Sequence, residues 1–384
     1  MLTPDAAKAP LLSSESAEFD DIRPCRDDEV QSELQKIIAD KQVLSSILKF
    51  RYPILARHLS FILTPLLKKL LAARASKLHN VSDFQLQVAT FMEHMMSSTT
   101  DGVEFVGFDR LDPQTGYLFI SNHRDISLDP AFIDLALHLN KLDTVRIAIG
   151  DNLLKIPAAT SLMRLNKSFV VRRSLTSPRE KLAAFNHLSA YIGLSLKEGH
   201  SVWIAQREGR AKDGDDRTED AVLKMISLYG KKQKIAFGPY MSSLNIVPVA
   251  ITYEFDPNDL AKAHELQERE IHGGEYHKDE LEDIDTITRG IREYKGRVRI
   301  VAGQPIKDGF EDAEGLAALI DRFIWENYTI YPPALISAGL DEQVKPEERE
   351  KFVHRLSQYP ENLRGRVKAM YAKPLENRRA AGIA

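Results

Sequence analysis

Short apolar runs alternate with longer helical patterns between Asp101 and Ile306. The runs have the length and the β-branched composition of buried strands, and the segments between them carry apolar residues at helical spacing. Strands that alternate with helices favour an α/β fold with a largely parallel sheet flanked by helices. The predicted strands are 117–121, 145–149, 168–172, 201–205, 246–252 and 297–302, and the predicted helices are 131–140, 178–197 and 218–229.

An octet suited to acid–base chemistry follows the first predicted strand. The octet runs from Asn122 to Asp129 and contains His123, and it ends just before Pro130 and an apolar helical pattern. A histidine held by a carboxylate can accept a proton from an alcohol near neutral pH, and a helix start has free N–H groups that bind anions. We therefore expect an acid–base site beside an anion pocket, with a plain helix cap as the alternative. Protein kinases share the His-Arg-Asp order, but they require Asn at the position of Pro130, which excludes a kinase.

Guanidinium groups stand at the ends of two further predicted strands. Arg172 and Arg173 end one of them, and Arg207, Arg210 and Lys212 lie in a Gly-containing loop after another. Guanidinium forks match phosphate oxygens through two parallel hydrogen bonds. Ligands of α/β sheets collect at the carboxyl ends of the strands. These cations therefore predict a phosphate site near the histidine, with ordinary solvated loops as the alternative.

A proline interrupts the predicted strand 246–252 at Pro248. Because proline has no N–H to donate to a β-ladder, this run predicts an edge strand or the end of a strand.

The order and spacing of these segments resemble the glycerolipid acyltransferases, which act on glycerol phosphate or lysophosphatidic acid. That family has an Asn-His-x4-Asp motif, a Phe-x-x-Arg block, a Glu-Gly-(x)-Arg block and a Val-Pro-Val block. The counterparts in this chain are His123–Asp129, Phe169–Arg173, Glu208–Arg210 and Val247–Val249. Gly303–Ile306 resembles the Gly-x-Pro-Ile element that closes the family's domain, so the resemblance spans roughly residues 100 to 310.

The resemblance implies transfer of a fatty acyl group from an acyl thioester to a hydroxyl of a glycerol phosphate, in phospholipid synthesis. The donor would be acyl-CoA or acyl carrier protein, and the first choice of acceptor is 1-acylglycerol-3-phosphate. His123 would be the general base and Asp129 its partner, with no metal and no bound cofactor. The residues expected to bind substrate are Asn122, Arg124, Arg172, Arg173, Glu208, Gly209 and Arg210. Glycerol 3-phosphate or another lysolipid as acceptor, and a non-catalytic lipid-binding membrane-surface protein, remain alternatives.

This chain departs from the family pattern in one respect that bears on the mechanism. Five residues separate His123 from Asp129, where the family has four, so Asp125 is a second candidate partner for the histidine. We favour Asp129 because Pro130 and the helix follow it as they do in the family. The acceptor also stays open: Asn122 resembles the lysophosphatidate enzymes, and the pair Arg172-Arg173 resembles those that acylate glycerol 3-phosphate.

Charge is distributed unevenly before the α/β region. Residues 1–40 are acidic and polar, which predicts a partly disordered leader with one short helix near 29–39. No Asp or Glu occurs from Lys41 to Ser82, where basic and large apolar residues are interleaved. Such a segment favours an anionic membrane surface. It does not predict a span, because its longest uncharged stretch, 58–67, has ten residues and a span needs about 20.

These observations predict four regions and a cellular location. A chain of 384 residues with a net charge of −3 can bury a large core, and it has no long basic block that would indicate nucleic-acid binding. The single cysteine, Cys25, excludes an internal disulfide. With no secretory signal recognised, we expect a cytoplasmic protein, peripheral on the inner face of the membrane. The regions are a leader at 1–40, a basic amphipathic helical membrane-surface segment at 41–100, an acyltransferase domain at 101–310 with a charged insertion at 257–295, and a helical C-terminal region at 311–384.

Two clusters of possible metal ligands do not have the spacing of a metal site. His264, His272 and His277 are spread along the charged insertion, and the aspartates around Asp215 lack the glycine and terminal glutamate of a calcium loop.

Overall fold

The computed structural model describes residues 13–51, 53–279 and 282–383. Its strands form one seven-stranded sheet in the order β1-β7-β6-β2-β5-β3-β4. The strands are β1 Val103–Val106, β2 Leu118–Ser121, β3 Arg146–Gly150, β4 Ser168–Val171, β5 Val202–Ala205, β6 Ile246–Tyr253 and β7 Val298–Ala302. All neighbours are parallel except β6 and β7. The predicted α/β fold with a largely parallel sheet is confirmed.

Helices cover both faces of this sheet, and further helices precede the first strand and follow the last strand along the chain. The first half contains α1 Val30–Ala39, α2 Lys41–Arg51, α3 Pro53–Ala75, α4 Val81–Thr99, α5 Leu128–Leu139, α6 Pro157–Leu165 and α7 Pro178–Lys197. The second half contains α8 Asp220–Ile226, α9 Leu228–Lys232, α10 Phe237–Ser243, α11 Asp259–Ile271, α12 Glu282–Arg292, α13 Ala313–Asn327, α14 Pro332–Ser337, α15 Pro346–Ser357 and α16 Glu361–Ala380.

Strand residues alternate between two apolar cores. Phe119 and Trp203 point to the side covered by α4 and α5. Ile120 and Ile204 point to the opposite side, covered by α7, α8 and α13. Burial on both faces explains why the strands read as continuous apolar runs in the sequence. The loops at the carboxyl ends of β2, β3, β4, β5 and β6 meet at one edge of the sheet, where ligands bind in folds of this kind.

The structure corrects the prediction for Pro248. The strand that contains it, β6, is interior and lies between β7 and β2. Pro248 is in register with Ile120 of β2, but the ladder with β7 begins only at Val249, so the missing N–H of Pro248 falls beyond the residues paired with β7. Gly303, which follows β7, has no side chain to collide with the proline ring.

The described part of the acidic leader is ordered against the α/β domain. Residues 1–12 lie outside the described residues, but from residue 13 onward the leader packs on the domain. Phe19 is fully buried against Tyr191 and Phe169, and the N–H of Val170 on β4 donates to the carbonyl of Ile22. The short helix expected near 29–39 is present as α1.

The basic segment divides into two parts with different surroundings. Helix α4 belongs to the core, where Phe84, Met92 and Met95 are buried. Helix α3 leaves large apolar side chains in solvent, including Ile54 at 78% exposure and Phe61 at 74%. Within the described ranges, no helix combines the length and the apolarity needed to cross a membrane.

The charged insertion and the C-terminal region continue the fold past the sheet. The insertion contributes α11 and α12 between β6 and β7. Helix α13 packs on β6 through Ile320 and Ile324, which belong to the core of the sheet. Helices α14, α15 and α16 form a further apolar cluster with α11, centred on Phe352 and Val367.

Candidate active site

His123 lies in the loop between β2 and α5, at the carboxyl edge of the sheet. Its Nδ1 is 2.9 Å from Oδ2 of Asp129, on the first turn of α5. The His123 side chain is 13% exposed, whereas that of Asp129 is fully buried. No described residue forms a hydrogen bond with His123 Nε2, so this nitrogen is not committed to another group in the described part of the chain. A histidine held at Nδ1 and open at Nε2 is the arrangement that general-base catalysis needs.

Several groups fix the Asp129 carboxylate in one orientation. Its Oδ2 also accepts the backbone N–H groups of Arg124 at 2.6 Å and Asp125 at 2.9 Å. Its Oδ1 accepts the hydroxyl of Tyr253 at 2.8 Å. Burial and the neighbouring Asp129 hold the pKa of Tyr253 well above its usual value, so its hydroxyl keeps its proton and stays a donor.

Asp125, the other candidate partner, faces away from the imidazole. Its Oδ1 accepts the N–H groups of Leu128 at 2.9 Å and Ser127 at 3.0 Å, which caps the start of α5. Burial, followed by the nearby Asp129, raises the pKa of Asp125. The structure therefore brings Asp129, and not Asp125, to His123.

Four backbone N–H groups at the start of α5, where the anion pocket was predicted, already have partners. The two aspartates of the loop themselves occupy its backbone donors, because Asp129 takes the N–H groups of residues 124 and 125 and Asp125 takes those of 127 and 128. A helix start can bind an external anion only through N–H groups that are free.

The predicted substrate contacts of Asn122 and Arg124 are also corrected. The Asn122 amide bonds the backbone of Ile251 on β6 through both its oxygen and its nitrogen, at 2.8 and 2.9 Å. Arg124 is buried and donates to Asp216 at 2.5 Å and to the carbonyl of Gly214. Both side chains join β2 to neighbouring segments, and neither lines the open side of the site.

The loop after β5 lies directly against the loop that contains His123. The N–H of Ala211 donates to the carbonyl of His123 at 3.1 Å. Arg210 beside it is half-buried, and its guanidinium has no hydrogen-bond or ion-pair partner in the described part of the chain. Gly209 has a φ of 73°, a left-handed conformation that favours glycine. Among the predicted arginines, Arg210 is the one without an ion pair in the described residues, although its charge opposes the increase that burial causes in the pKa of Asp125.

The other predicted phosphate ligands lie farther away. Arg172 and Arg173 follow β4, the edge strand, which β5 and β3 separate from β2. At about 4.8 Å per strand this places them roughly 14 Å from the histidine loop. Arg172 pairs with Asp21 at 2.7 Å, and Arg173 lies 3.9 Å from the exposed carboxylate of Glu208.

Two residues of the site carried no specific signal in the sequence. The indole of Trp203 on β5 lies edge-on to the His123 ring, with 5.7 Å between ring centroids. The Tyr253 hydroxyl completes the shell of Asp129 from the end of β6. Both were visible in the sequence only as aromatic residues within or at the end of an apolar strand.

The site lies within a segment that matches a known protein family. Residues 102–252 match the family model named Acyltransferase, and no curated protein matches the chain. A similar solved structure is the 1-acyl-sn-glycerophosphate (LPA) acyltransferase PlsC from Thermotoga maritima. It is 14% identical, the alignment covers 77% of this chain and 94% of that one, and the TM-score is 0.37. The matched segment contains His123, Asp129 and Arg210. Residues 102–252 thus form an acyltransferase domain, as the motifs predicted.

Proposed function

We propose that this protein transfers a fatty acyl group from an acyl thioester to the free hydroxyl of 1-acylglycerol-3-phosphate. The observation that carries the proposal is the pair His123–Asp129, joined at 2.9 Å with no described partner on Nε2, inside a matched acyltransferase domain. An unpaired guanidinium, Arg210, lies one residue from the loop position that bonds the His123 carbonyl.

The chemistry follows from the position of the imidazole. His123 Nε2 takes the proton of the acceptor hydroxyl as its oxygen attacks the thioester carbonyl carbon. Asp129 keeps the ring oriented and stabilises the imidazolium that forms. The C–S bond then breaks, and the leaving thiolate takes the proton from the imidazolium. The products are an ester and a free thiol, so protons and electrons balance without a further reactant.

Arg210 is assigned to the acceptor phosphate. It lies next to the residue that bonds the His123 carbonyl, it is half-buried, and no described carboxylate forms an ion pair with it, although its charge opposes the increase that burial causes in the pKa of Asp125. A guanidinium in such a place gains charge-assisted hydrogen bonds of roughly 1.5–3 kcal/mol each with a phosphate. Arg172 and Arg173 are less suited to this role, because Arg172 pairs with Asp21 and Arg173 lies beside the carboxylate of Glu208.

The exposed face of α3 supports a membrane-borne acceptor. Ile54, Phe61 and Leu66 stand in solvent on a helix with no acidic residue, and Lys68 and Lys69 follow on the same helix. Apolar side chains with adjacent cations suit the headgroup region of an anionic membrane. A protein on that membrane meets a lysophospholipid more readily than free glycerol 3-phosphate, which favours the lysophospholipid as acceptor. We therefore assign the protein to phospholipid synthesis at the inner surface of the membrane.

The test is the release of free thiol from an acyl thioester by purified protein, followed with several acceptors. Lysophosphatidate should give the fastest release, glycerol 3-phosphate a slower one, and no acceptor almost none. Running acyl-CoA and acyl carrier protein side by side identifies the donor. Thiol release that no glycerol phosphate accelerates would contradict the proposal, and vesicle binding without release would indicate a non-catalytic lipid-binding protein.

A further inference from the structure

The insertion at 257–295 reaches the catalytic loop, although it lies outside the matched domain. The Asn258 amide donates to Oδ2 of Asp125 at 3.1 Å. The Lys262 ammonium donates to the carbonyl of Arg124 at 2.7 Å. Asn258 and Lys262 are each 1% exposed, so these contacts are shielded from water. The two residues that follow His123 are thus both held by the insertion.

Lys262 is an unusual residue to bury, and its partners explain its position. Its ammonium also pairs with Asp256 at 2.5 Å. Burial lowers the pKa of Lys262, and the Asp256 carboxylate opposes that shift. A buried ion pair of this kind is weak evidence for stability, because desolvation offsets the attraction. Its other contact, to the carbonyl of Arg124, is the one that bears on the site.

Helix α12 also packs closely against the loop that follows His123. Gly290 approaches Asp125 so closely that an added Cβ would lie 2.4 Å from its Oδ2. The neighbouring Arg289 donates to the Asn258 oxygen at 3.2 Å, which turns the nitrogen of that amide towards Asp125. No side chain larger than hydrogen fits at position 290 without moving Asp125 or the helix.

The loop that the insertion holds is the one with the unusual length. It has five residues between histidine and aspartate, one more than the motif it resembles. A longer loop loses more conformational entropy when it is ordered. The insertion supplies fixed partners at the first two positions of that loop, where the geometry of the His123–Asp129 pair is set.

We propose that α11 and α12 form a clamp on the catalytic loop, which is the segment between His123 and Asp129. Asn258, Lys262 and Gly290 are its positioning residues, and they keep His123 and Asp129 in a catalytic geometry despite the five-residue spacing. This inference rests on the proposed function for the assignment of His123 as the base. A displacement of the loop by about 1 Å is enough to lower turnover 10²-fold, because the reacting atoms must be held in near-attack geometry.

The variant Gly290→Ala tests the clamp without removing any hydrogen-bonding group. It should lower kcat by about 30–100-fold and leave the KM of the acceptor within about twofold of wild type. Gly365→Ala, in a helix where an added Cβ meets nothing within 4 Å, is the matched control and should keep the wild-type kcat. Lys262→Met should act in the same direction as Gly290→Ala.

A second readout does not depend on the acceptor. The NMR signal of the His123 ring should move in folded Gly290→Ala relative to wild type and Gly365→Ala, because the contact of Nδ1 with Asp129 is disturbed. Wild-type kcat together with an unchanged His123 ring signal in Gly290→Ala would overturn the clamp. If wild type itself releases no thiol, the proposed function fails, and the His123 ring signal still decides the clamp. A kcat loss that merely matches the loss of folded protein also counts against it.

Discussion

The hydroxyl of Tyr253 tests directly how the catalytic carboxylate is held. Tyr253→Phe removes the group that donates to Asp129 Oδ1 at 2.8 Å and leaves the ring in its contact with Phe132. Asp129 is fully buried, so water does not readily replace the lost donor. A hydrogen bond to a charged group contributes about 1.5–3 kcal/mol. If the whole of this free energy stabilises the transition state, its loss lowers kcat by about 10–100-fold.

The loss should stay below that of removing the base. Asp129 retains His123 and two backbone N–H partners in the variant. The matched control is Tyr240→Phe, because Tyr240 is also buried but its hydroxyl has no partner in the described structure. We expect Tyr240→Phe to keep the wild-type kcat, and both variants to keep the wild-type acceptor KM. A wild-type kcat in folded Tyr253→Phe would refute the positioning argument, and equal losses in both variants would attribute the effect to packing.

Three further predictions concern the partner of the base, the phosphate ligand and the membrane. Asp129→Asn should lose most activity while Asp125→Asn loses less, because only the former contacts His123; kcat in the reverse order would reassign the partner. Arg210→Lys should raise the acceptor KM about tenfold with the donor KM unchanged, since lysine lacks the guanidinium fork; a donor-only effect would move Arg210 to the donor site. Charge reversal at Lys68 and Lys69 should weaken sedimentation with anionic vesicles by about 1 kcal/mol per residue; binding insensitive to this change and to salt would exclude surface anchoring.

The strands of the sheet were predictable because their signal is local. A strand buried on both faces needs a continuous apolar run, and the six predicted runs coincide with β2 to β7 to within a residue or so. The missed strand, β1, has four residues and includes the exposed Glu104. At the edge of the sheet it lacks the composition that marks its neighbours. The strand that contains Pro248 was wrongly predicted to be an edge strand or a strand end. An interior strand accepts this proline because the ladder with β7 begins one residue later, and no local sequence pattern shows where that ladder begins.

The pair His123–Asp129 could be predicted from the sequence, but the contacts of the residues around it could not. His123 and Asp129 are separated by a short loop, so sequence spacing alone brings them together. Asn122 was misassigned because its amide is committed to Ile251 on a strand far along the chain. The burial of Phe19 could not be predicted for a similar reason. The acidic composition of the leader gives no sign that its one aromatic residue packs into the core. Contacts between distant segments decide which polar residues remain free for a ligand.

The measurement that tests the central claim most directly is thioester turnover by His123→Ala with lysophosphatidate as acceptor. The account predicts a loss of about 10²–10⁴-fold, because a positioned general base contributes that much, in a variant with unchanged melting temperature. His138→Ala, an exposed histidine at the end of α5, is the control and should keep the wild-type rate. Near-wild-type turnover by folded His123→Ala would contradict the assignment of His123 as the base and with it the proposed mechanism.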